Sequence, residues 1–346
     1  MSKQSSELLY SAIIITPFQY ICLLEYLYKK NIPKSNCDLI LISHSEILVN
    51  QIINYDGCNG FRTVSKPMIG CVDIWLRQWS TYKVLFSNRS KIPIIGNLNN
   101  SWCVYAIQNK KGAEDAVVLD DGAASILLIK KRKKKDFKLR KIGWLGKMAL
   151  FYRLILRNKT FYKERVNFFT IFNFPNDSGY DITENNEFAF LKSNSESAIN
   201  NEIWFIATPF FNFNLMTKAG YKLYVQKTVD FAKSNNLKVK YFKAKLGEEL
   251  EYDDVEMIDN VQPFELTYIE SKIKPKFVVG FHTTILFSLA KMDAPSHLVS
   301  LRINEKGRLG DSWNNVDLIY DFMEKSDNIK VIDADDFAKS NFCYAK

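Results

Sequence analysis

The sequence lacks the features that mark membrane-spanning, secreted or zinc-binding proteins. No apolar run approaches the roughly 20 residues that a membrane-spanning helix needs, and the apolar block 12–15 is too short for a signal peptide. The six cysteines contain no Cys-x-x-Cys pair, and the three histidines are dispersed. This pattern favours reduced thiols in a cytosol and no zinc site. We therefore expect a cytoplasmic protein without a zinc site.

Composition indicates a globular protein with room for two domains. The chain has 346 residues, of which 47% are hydrophobic and 14% aromatic, values typical of folded domains. The formal net charge of +9 is unevenly distributed. Segment 130–165 holds 15 Lys and Arg against two acids, a balance of +13, which leaves about −4 for the rest.

The basic segment 130–165 is also amphipathic, because Trp144 and several aliphatic residues alternate with its cations. Such a segment suits the anionic face of a membrane. A nucleic-acid patch would have a similar charge, but no recognition fold accompanies it. A solvated loop followed by an ordinary surface helix remains the other interpretation. We favour the membrane and expect no nucleic acid as a partner.

Strands and helices alternate along the chain, which predicts an α/β protein with parallel, Rossmann-like sheets. Strands are expected at 12–15, 39–43, 116–119, 166–172, 203–207, 238–242, 276–281, 297–303 and 329–333. The polar stretch 173–201 predicts a boundary, giving an N-terminal domain, 1–195, and a C-terminal domain, 202–346. In an alternative, the last helix packs back on the N-terminal domain. Thr-Pro-Phe follows the first strand of each half, at 16–18 and 208–210.

Two carboxylates end the strand 116–119, where Asp120, Asp121 and Gly122 follow three β-favouring apolar residues. Open α/β sheets bind ligands at the carboxyl ends of their strands. Neighbouring strand residues point to opposite faces, so only one of the two acids should face the ligand. Solvated loop acids are the alternative. Farther upstream, the spacing of Trp75 and Trp79 predicts a helix that buries both in the core.

Several short motifs, in order, resemble bacterial GT-B sialyltransferases of glycosyltransferase family 52. The matching segments are Thr16-Pro17-Phe18-Gln19, Leu119-Asp120-Asp121-Gly122, Phe169-Thr170-Ile171-Phe172, Pro263-Phe264-Glu265 and Gly280-Phe281-His282-Thr283-Thr284. The resemblance implies two Rossmann-like domains that face a central cleft. It also implies an inverting, metal-independent, single-displacement transfer of sialic acid from CMP-sialic acid to a galactose-type sugar of a bacterial surface glycan.

The resemblance also implies roles for individual residues. Asp120 would be the general base, and Asp121 would support it or bind the acceptor, with Thr16, Gln19 and Gly122 also on the acceptor side. The donor would contact Pro263 and Phe264 through its cytosine, Glu265 through its ribose, and Gly280, Thr283 and Thr284 through its phosphate. N-capping alone would equally explain the two threonines. The enzyme would lie peripherally on the cytoplasmic face of a bacterial inner membrane, and a homodimer stays open.

One position departs from the family pattern. Lys245 stands where the family has a histidine that meets the donor phosphate. A lysine supplies positive charge but is a poor proton donor near neutral pH, so His282 is the alternative candidate. Three readings therefore stay open: this sialyltransferase, a GT-B enzyme with another nucleotide-sugar donor, and a non-catalytic protein of polysaccharide assembly.

Overall fold

The chain forms two compact units, Met1–Phe190 and Leu191–Lys346. The computed structural model describes residues 8–43, 45–67, 69, 74–108, 115–133, 166–174, 182–192, 198–208, 210–244, 250–310 and 313–339. Most of segment 130–165 and the C-terminal residues 340–346 therefore lie outside the described residues. No helix in the described ranges has the length and apolar content to cross a membrane.

The N-terminal unit is built on a seven-stranded parallel sheet with the strand order β3-β2-β1-β4-β5-β6-β7. Its strands are β1 (Tyr10–Ile14), β2 (Cys37–Leu41), β3 (Thr63–Ser65), β4 (Ile92–Ile95), β5 (Ala116–Leu119), β6 (Val166–Thr170) and β7 (Ile182–Asn185). Its helices are α1 (Pro17–Lys29), α2 (Glu46–Asp56), α3 (Ile74–Ser87), α4 (Ser101–Gln108) and α5 (Ala124–Lys133). The short helix α6 (Ala189–Lys192) contains the boundary between the two units.

Both faces of this sheet are buried, as a parallel sheet requires. Ile13 of β1 belongs to one apolar cluster, whereas its neighbours Ala12 and Ile14 belong to the cluster on the opposite face. Val117 and Val118 of β5 divide between the faces in the same way. The nearly continuous apolar sequence of each strand is explained by this double burial.

The C-terminal unit repeats the arrangement with six parallel strands in the order β10-β9-β8-β11-β12-β13. Its strands are β8 (Ala198–Ile206), β9 (Lys238–Phe242), β10 (Glu256–Ile258), β11 (Ile273–Gly280), β12 (His297–Arg302) and β13 (Ile329–Asp333). Its helices are α7 (Lys218–Ser234), α8 (Phe264–Glu270), α9 (Thr284–Lys291) and α10 (Trp313–Glu324). Numbered within its own sheet, the C-terminal unit has the order 3-2-1-4-5-6, which is that of dinucleotide-binding folds, and the N-terminal unit has the same order with a seventh strand added at the edge.

The prediction of an α/β protein with two parallel sheets is confirmed. Each predicted strand has a counterpart within a few residues, and the two Thr-Pro-Phe runs follow the equivalent strands β1 and β8. The sequence reading did not identify β3, β4, β7 or β10. Three of these are short edge strands, and edge strands bury less apolar surface.

The core assignment of Trp79 is wrong. The helix forms as α3, but the Trp79 side chain is 46% exposed. Periodicity predicted the helix correctly and assigned this residue to the wrong face. The side chain of Trp75 lies outside the described ones.

At the C-terminal end, Phe337 packs against Phe231 of α7, with ring centroids 4.7 Å apart. Described residues 337–339 therefore belong to the C-terminal unit. The alternative of a last helix packed on the N-terminal domain falls on residues outside the described ones.

Candidate functional site

Polar side chains gather at the carboxyl edge of the N-terminal sheet. Thr16 and Gln19 follow β1, Asn97 follows β4, and Asp120 and Asp121 follow β5. The strand order reverses between β1 and β4, and ligands of open α/β sheets bind at this switch point. The fold therefore brings together five polar residues from three separate segments of the chain.

Asp121 lies between two side-chain amides. Gln19 Nε2 donates to Asp121 Oδ1 at 2.6 Å, and Asn97 Nδ2 donates to the other carboxylate oxygen. Burial raises the pKa of Asp121 to about 6, and the hydrogen bonds from Gln19 and Asn97 act against that rise. The result is a fixed carboxylate that gains or loses a proton close to neutral pH.

The helix start at Thr16 holds Gln19 in place. Thr16 and Gln19 form a capping box, and Gln19 Oε1 also accepts from the backbone N–H of Ile15 at 2.8 Å. The Gln19 side chain is completely buried. Gly96 faces it, and a Cβ at position 96 would overlap the Gln19 side chain. Only glycine allows this close approach.

Asp120 is buried more deeply than Asp121 and is 1% exposed. Its Oδ2 accepts from the backbone N–H of Ile171, just beyond β6, at 2.6 Å. Burial raises the pKa of Asp120 to about 7, while nearby Thr170, the Ile171 N–H and Ser125 oppose the rise. Its Oδ1 is buried without a hydrogen-bond partner among the described residues. Asp120 thus links the ends of β5 and β6.

Gly122 turns the chain from this edge into α5, with φ at +66°, a conformation that favours glycine. The turn brings Ser125 back, so that the Asp121 N–H donates to Ser125 Oγ at 2.9 Å. A narrow crevice beside the turn is lined by Asp121, Asn97 and Ser125, but not by Asp120. The crevice has a free volume of about 10 Å³, roughly the space of one water molecule, and Asp121 is the acid of the pair that borders it.

The C-terminal sheet presents hydrogen-bond donors at its own switch point, between β8 and β11. Gly280 ends β11, and Thr283 caps α9 by accepting from the Ile285 N–H at 3.4 Å. Thr283 and Thr284 are half-buried. A helix N-terminus with hydroxyls beside it is suited to bind an anionic group.

His282 lies in the same turn, with its ring stacked on Phe210 at a centroid distance of 4.8 Å. Burial lowers the pKa of His282 to about 4. Its Nδ1 is buried without a hydrogen-bond partner among the described residues. The imidazole is therefore neutral at pH 7 in the unliganded protein, although a neighbouring phosphate would favour protonation.

Pro263, Phe264 and Glu265 open helix α8. Phe264 packs edge-on against Phe242 at the end of β9, with ring centroids 4.9 Å apart. Glu265 is 3% exposed, so a ribose could reach it only after local rearrangement. Lys245, the other candidate for the missing histidine, lies outside the described residues.

The sequence assigned no role to Gly96, Asn97, Ser125 and Thr170, the supporting residues of the acid pair, and Thr170 was named only as part of the motif 169–172. Gly96 and Asn97 follow the apolar run 92–95, which is the same strand-then-polar pattern that revealed Asp120 and Asp121. That signal was available. The contact between Asn97 and Asp121, which are 24 residues apart in the chain, could not be predicted from that pattern.

Among the described residues, no group of three or more His, Cys, Asp or Glu side chains could hold a metal ion. In comparisons with known proteins, no family model matches the chain and no curated protein matches it.

Proposed function

We propose that the chain is a glycosyltransferase of the GT-B type, which transfers a sugar from a nucleotide-sugar donor to a sugar hydroxyl. The observation that carries this proposal is the acid pair at the switch point of the N-terminal sheet. Its two pKa values, about 7 and about 6, fall in the range in which a carboxylate works best as a general base near neutral pH. The resemblance of the motifs to family 52 suggests CMP-sialic acid as the donor.

We assign the role of general base to Asp121. In the proposed step, an acceptor hydroxyl oxygen attacks the anomeric carbon of the donor sugar. Its proton passes to the Asp121 carboxylate, and the bond from the anomeric carbon to the phosphate oxygen breaks. CMP leaves with the electron pair of that bond.

The motif resemblance assigned the base to Asp120, and burial argues for its neighbour. Asp120 is 1% exposed and accepts from the Ile171 N–H. A base must come within hydrogen-bond reach of the proton it takes, and Asp121 is the acid that borders the crevice at this edge. Asp120 is better suited to a positioning role, in which it fixes the ends of β5 and β6.

On the donor side, the turn 280–284 is the candidate phosphate site. Backbone N–H groups and the Thr283 and Thr284 hydroxyls would replace the cation that other transferases use to stabilise the leaving phosphate. His282 would enter as a neutral hydrogen-bonding group that gains a proton as phosphate charge accumulates. Glu265 remains the candidate for the ribose, and Lys245 a candidate for the phosphate.

Membrane attachment through 130–165, a position on the cytoplasmic face of an inner membrane and a homodimer stay predictions. Two other functions also remain: a GT-B transferase with another donor and a non-catalytic role in polysaccharide assembly. The acid pair favours an enzyme over the non-catalytic role, because buried carboxylates whose pKa is raised cost stability and cluster at functional sites.

The test is release of CMP from CMP-sialic acid by the full chain, with and without a galactose-terminated acceptor. We expect release that depends on the acceptor. Asp121→Asn should lower kcat by about 10²–10⁴-fold, the usual contribution of a general base. Asp120→Asn should have a smaller effect, because the amide oxygen can still accept from Ile171. Asp115→Asn, at the opposite end of β5, is the matched control and should be active.

The outcomes separate the candidates. If the protein released UDP from UDP-sugars and no CMP from CMP-sialic acid, the donor would be a UDP-sugar. Binding of no nucleotide by calorimetry, in a folded protein, would favour the non-catalytic role. A fully active Asp121→Asn beside an inactive Asp120→Asn would return the base to Asp120.

A further inference from the structure

Helix α3 carries a stripe of large apolar side chains on its exposed side. Leu76, Trp79 and Phe86 are 60%, 46% and 43% exposed. Together with exposed Lys83 they are spaced three, four and three residues apart, so they follow one another along one side of the helix. The stripe extends for about 15 Å at 1.5 Å per residue. Exposed apolar side chains grouped beside a cation in this way are typical of surfaces that bind a partner or a membrane.

Aromatic rings and cations alternate on this side of α3. Trp79 stacks on Tyr82 with ring centroids 5.5 Å apart, and Tyr82 stacks on Phe86 at 5.7 Å. The Lys83 ammonium lies 5.3 Å from the Trp79 ring centroid, and the Arg89 guanidinium 3.7 Å from that of Phe86. Each of the two exposed rings of the stripe therefore carries a positive charge on its face.

The charge of this helix has a single sign. Residues 74–87 include Arg77 and Lys83 and no acid; Asp73 precedes the helix, and Arg89 follows it after Asn88. The opposite side of α3 is anchored in the core, where Leu85 is 3% exposed. Tyr82, which flanks the stripe, packs on Tyr105 of α4. The stripe is thus the outer face of a firmly packed helix.

We propose that this face of α3, which we call the α3 stripe (Leu76, Trp79, Lys83 and Phe86), binds the surface of an anionic lipid bilayer. Trp side chains prefer the membrane–water interface, where the ring meets acyl chains and its N–H meets water. Cations on the same face are attracted by anionic headgroups. An amphipathic helix that combines both lies in the plane of the interface.

Charge complementarity selects this partner. A protein partner would have to present an acidic surface with apolar grooves, whereas an anionic bilayer provides negative charge above an apolar layer everywhere. The α3 stripe is distinct from segment 130–165 and does not depend on the proposed activity.

The place of α3 in the N-terminal unit relates the stripe to the edge that carries the acid pair. Helix α3 follows β3 in a parallel sheet, so its first turns, which carry Leu76 and Trp79, lie towards the carboxyl edge. Asp121 lies at that same edge of the N-terminal unit. The N-terminal end of the stripe and Asp121 therefore lie at the same edge of the N-terminal unit.

The test is sedimentation of the full chain with vesicles of phosphatidylcholine and phosphatidylglycerol in equal parts, compared with phosphatidylcholine alone. We expect binding only to the anionic vesicles, weakening as salt is added. The triple variant Leu76→Gln, Trp79→Gln, Phe86→Gln should bind at least tenfold more weakly.

The matched control replaces three apolar side chains of similar exposure in the C-terminal unit, Ile199→Gln, Leu223→Gln and Ile273→Gln, and should bind like the unaltered chain. If the α3 triple variant does not fold, the single change Lys83→Glu decides: we expect several-fold weaker binding to the anionic vesicles.

Three results would overturn the proposal. These are absence of vesicle binding by the unaltered chain, undiminished binding by a folded stripe variant, and a dimer in solution that the stripe variant converts to monomer. The last would identify the stripe as an interface between copies. Because no readout uses CMP release, failure here leaves the proposed transferase untouched.

Discussion

The two sheets have the same strand order but opposite chemistry at their carboxyl edges. In the N-terminal sheet the fifth strand ends at Asp120 and Asp121, two acids whose pKa burial raises. In the C-terminal sheet the fifth strand ends at Arg302, which pairs with Glu324 at 2.7 Å. Its fourth strand leads to His282, whose pKa burial lowers.

This difference shows that topology fixes where a site lies and the few residues after each strand fix what it does. Glycine ends or follows the fourth strand in both sheets, at Gly96 and Gly280. Beside Gly96 the chain places Gln19 and a carboxylate, which suits removal of a proton. Beside Gly280 it places Thr283 and backbone donors, which suit an anion.

The largest expected effect is an opposite pH dependence of stability at the two edges. The folded-state pKa values of Asp120 and Asp121 exceed the value of about 4 in an unfolded chain. The folded state therefore holds extra protons between about pH 4 and 7, and stability falls as pH rises through that window. The pKa of His282 is below its unfolded value of about 6.5, so its contribution to stability rises between about pH 4 and 6.5.

Urea unfolding at several pH values measures both contributions, in which each titrating group can supply up to ~1.4 kcal/mol per pH unit. Relative to the unaltered chain, the double variant Asp120→Asn, Asp121→Asn should gain stability as pH rises to 7. His282→Gln should show the reverse trend, with its relative stability greatest at low pH. Asp115→Asn should follow the unaltered chain. If the free energy of unfolding changed equally with pH in all four proteins, the pKa shifts assigned to the two edges would be refuted.

A smaller effect is expected from adding one methyl group at each fourth-strand glycine. In Gly96→Ala the new Cβ would overlap the buried Gln19 side chain, which must move and lose hydrogen bonds, at a cost of about 2–4 kcal/mol. In Gly280→Ala the nearest atom is Thr283 Cγ2 at 3.1 Å, a contact that a small shift relieves. We expect this variant to lose less than about 1 kcal/mol.

The two alanine variants serve as each other's control, with the unfolding midpoint as the readout. A Gly96→Ala protein as stable as Gly280→Ala would mean that Gln19 is not fixed against β4. The hydrogen bond from Gln19 would then not hold the Asp121 carboxylate in a fixed position.

The smallest effect is expected from removing one of the two side-chain amides that donate to Asp121. The Asn97 hydrogen bond favours the ionised form of Asp121, so Asn97→Ala should raise the pKa of Asp121 by about one unit, or ~1.4 kcal/mol. Titration of the carboxyl by NMR measures this independently of any activity. If the chain is a transferase, the acid limb of its pH–rate profile should move by the same amount.

Asn99→Ala is the natural control, since Asn99 is exposed in the same loop and no hydrogen bond from its side chain to Asp121 is found among the described residues. An unchanged titration in Asn97→Ala would contradict the positioning role. A purely structural role for Asn97 would lower stability without moving the pKa of Asp121.

Sequence patterns were sufficient for most of the fold because each central strand is an apolar run followed by polar or glycine residues. The strand β5 and the acids after it were predicted from 116–122 alone. The short edge strands β3, β7 and β10 were missed because a strand of three or four residues leaves little pattern. Trp79 was misplaced because periodicity identifies a helix and leaves open which side faces the core.

The sequence by itself determined the fold class, the two-part order of strands and the location of the acid pair at a strand end, because these follow from local patterns of two to twenty residues. Only the tertiary structure decided which acid is open to solvent and which amides hold it. Asn97, Gln19 and Ile171 reach the acid pair from segments 24 to 102 residues away. Burial and hydrogen bonding at the acid pair arise when those segments pack together, and no local pattern encodes them.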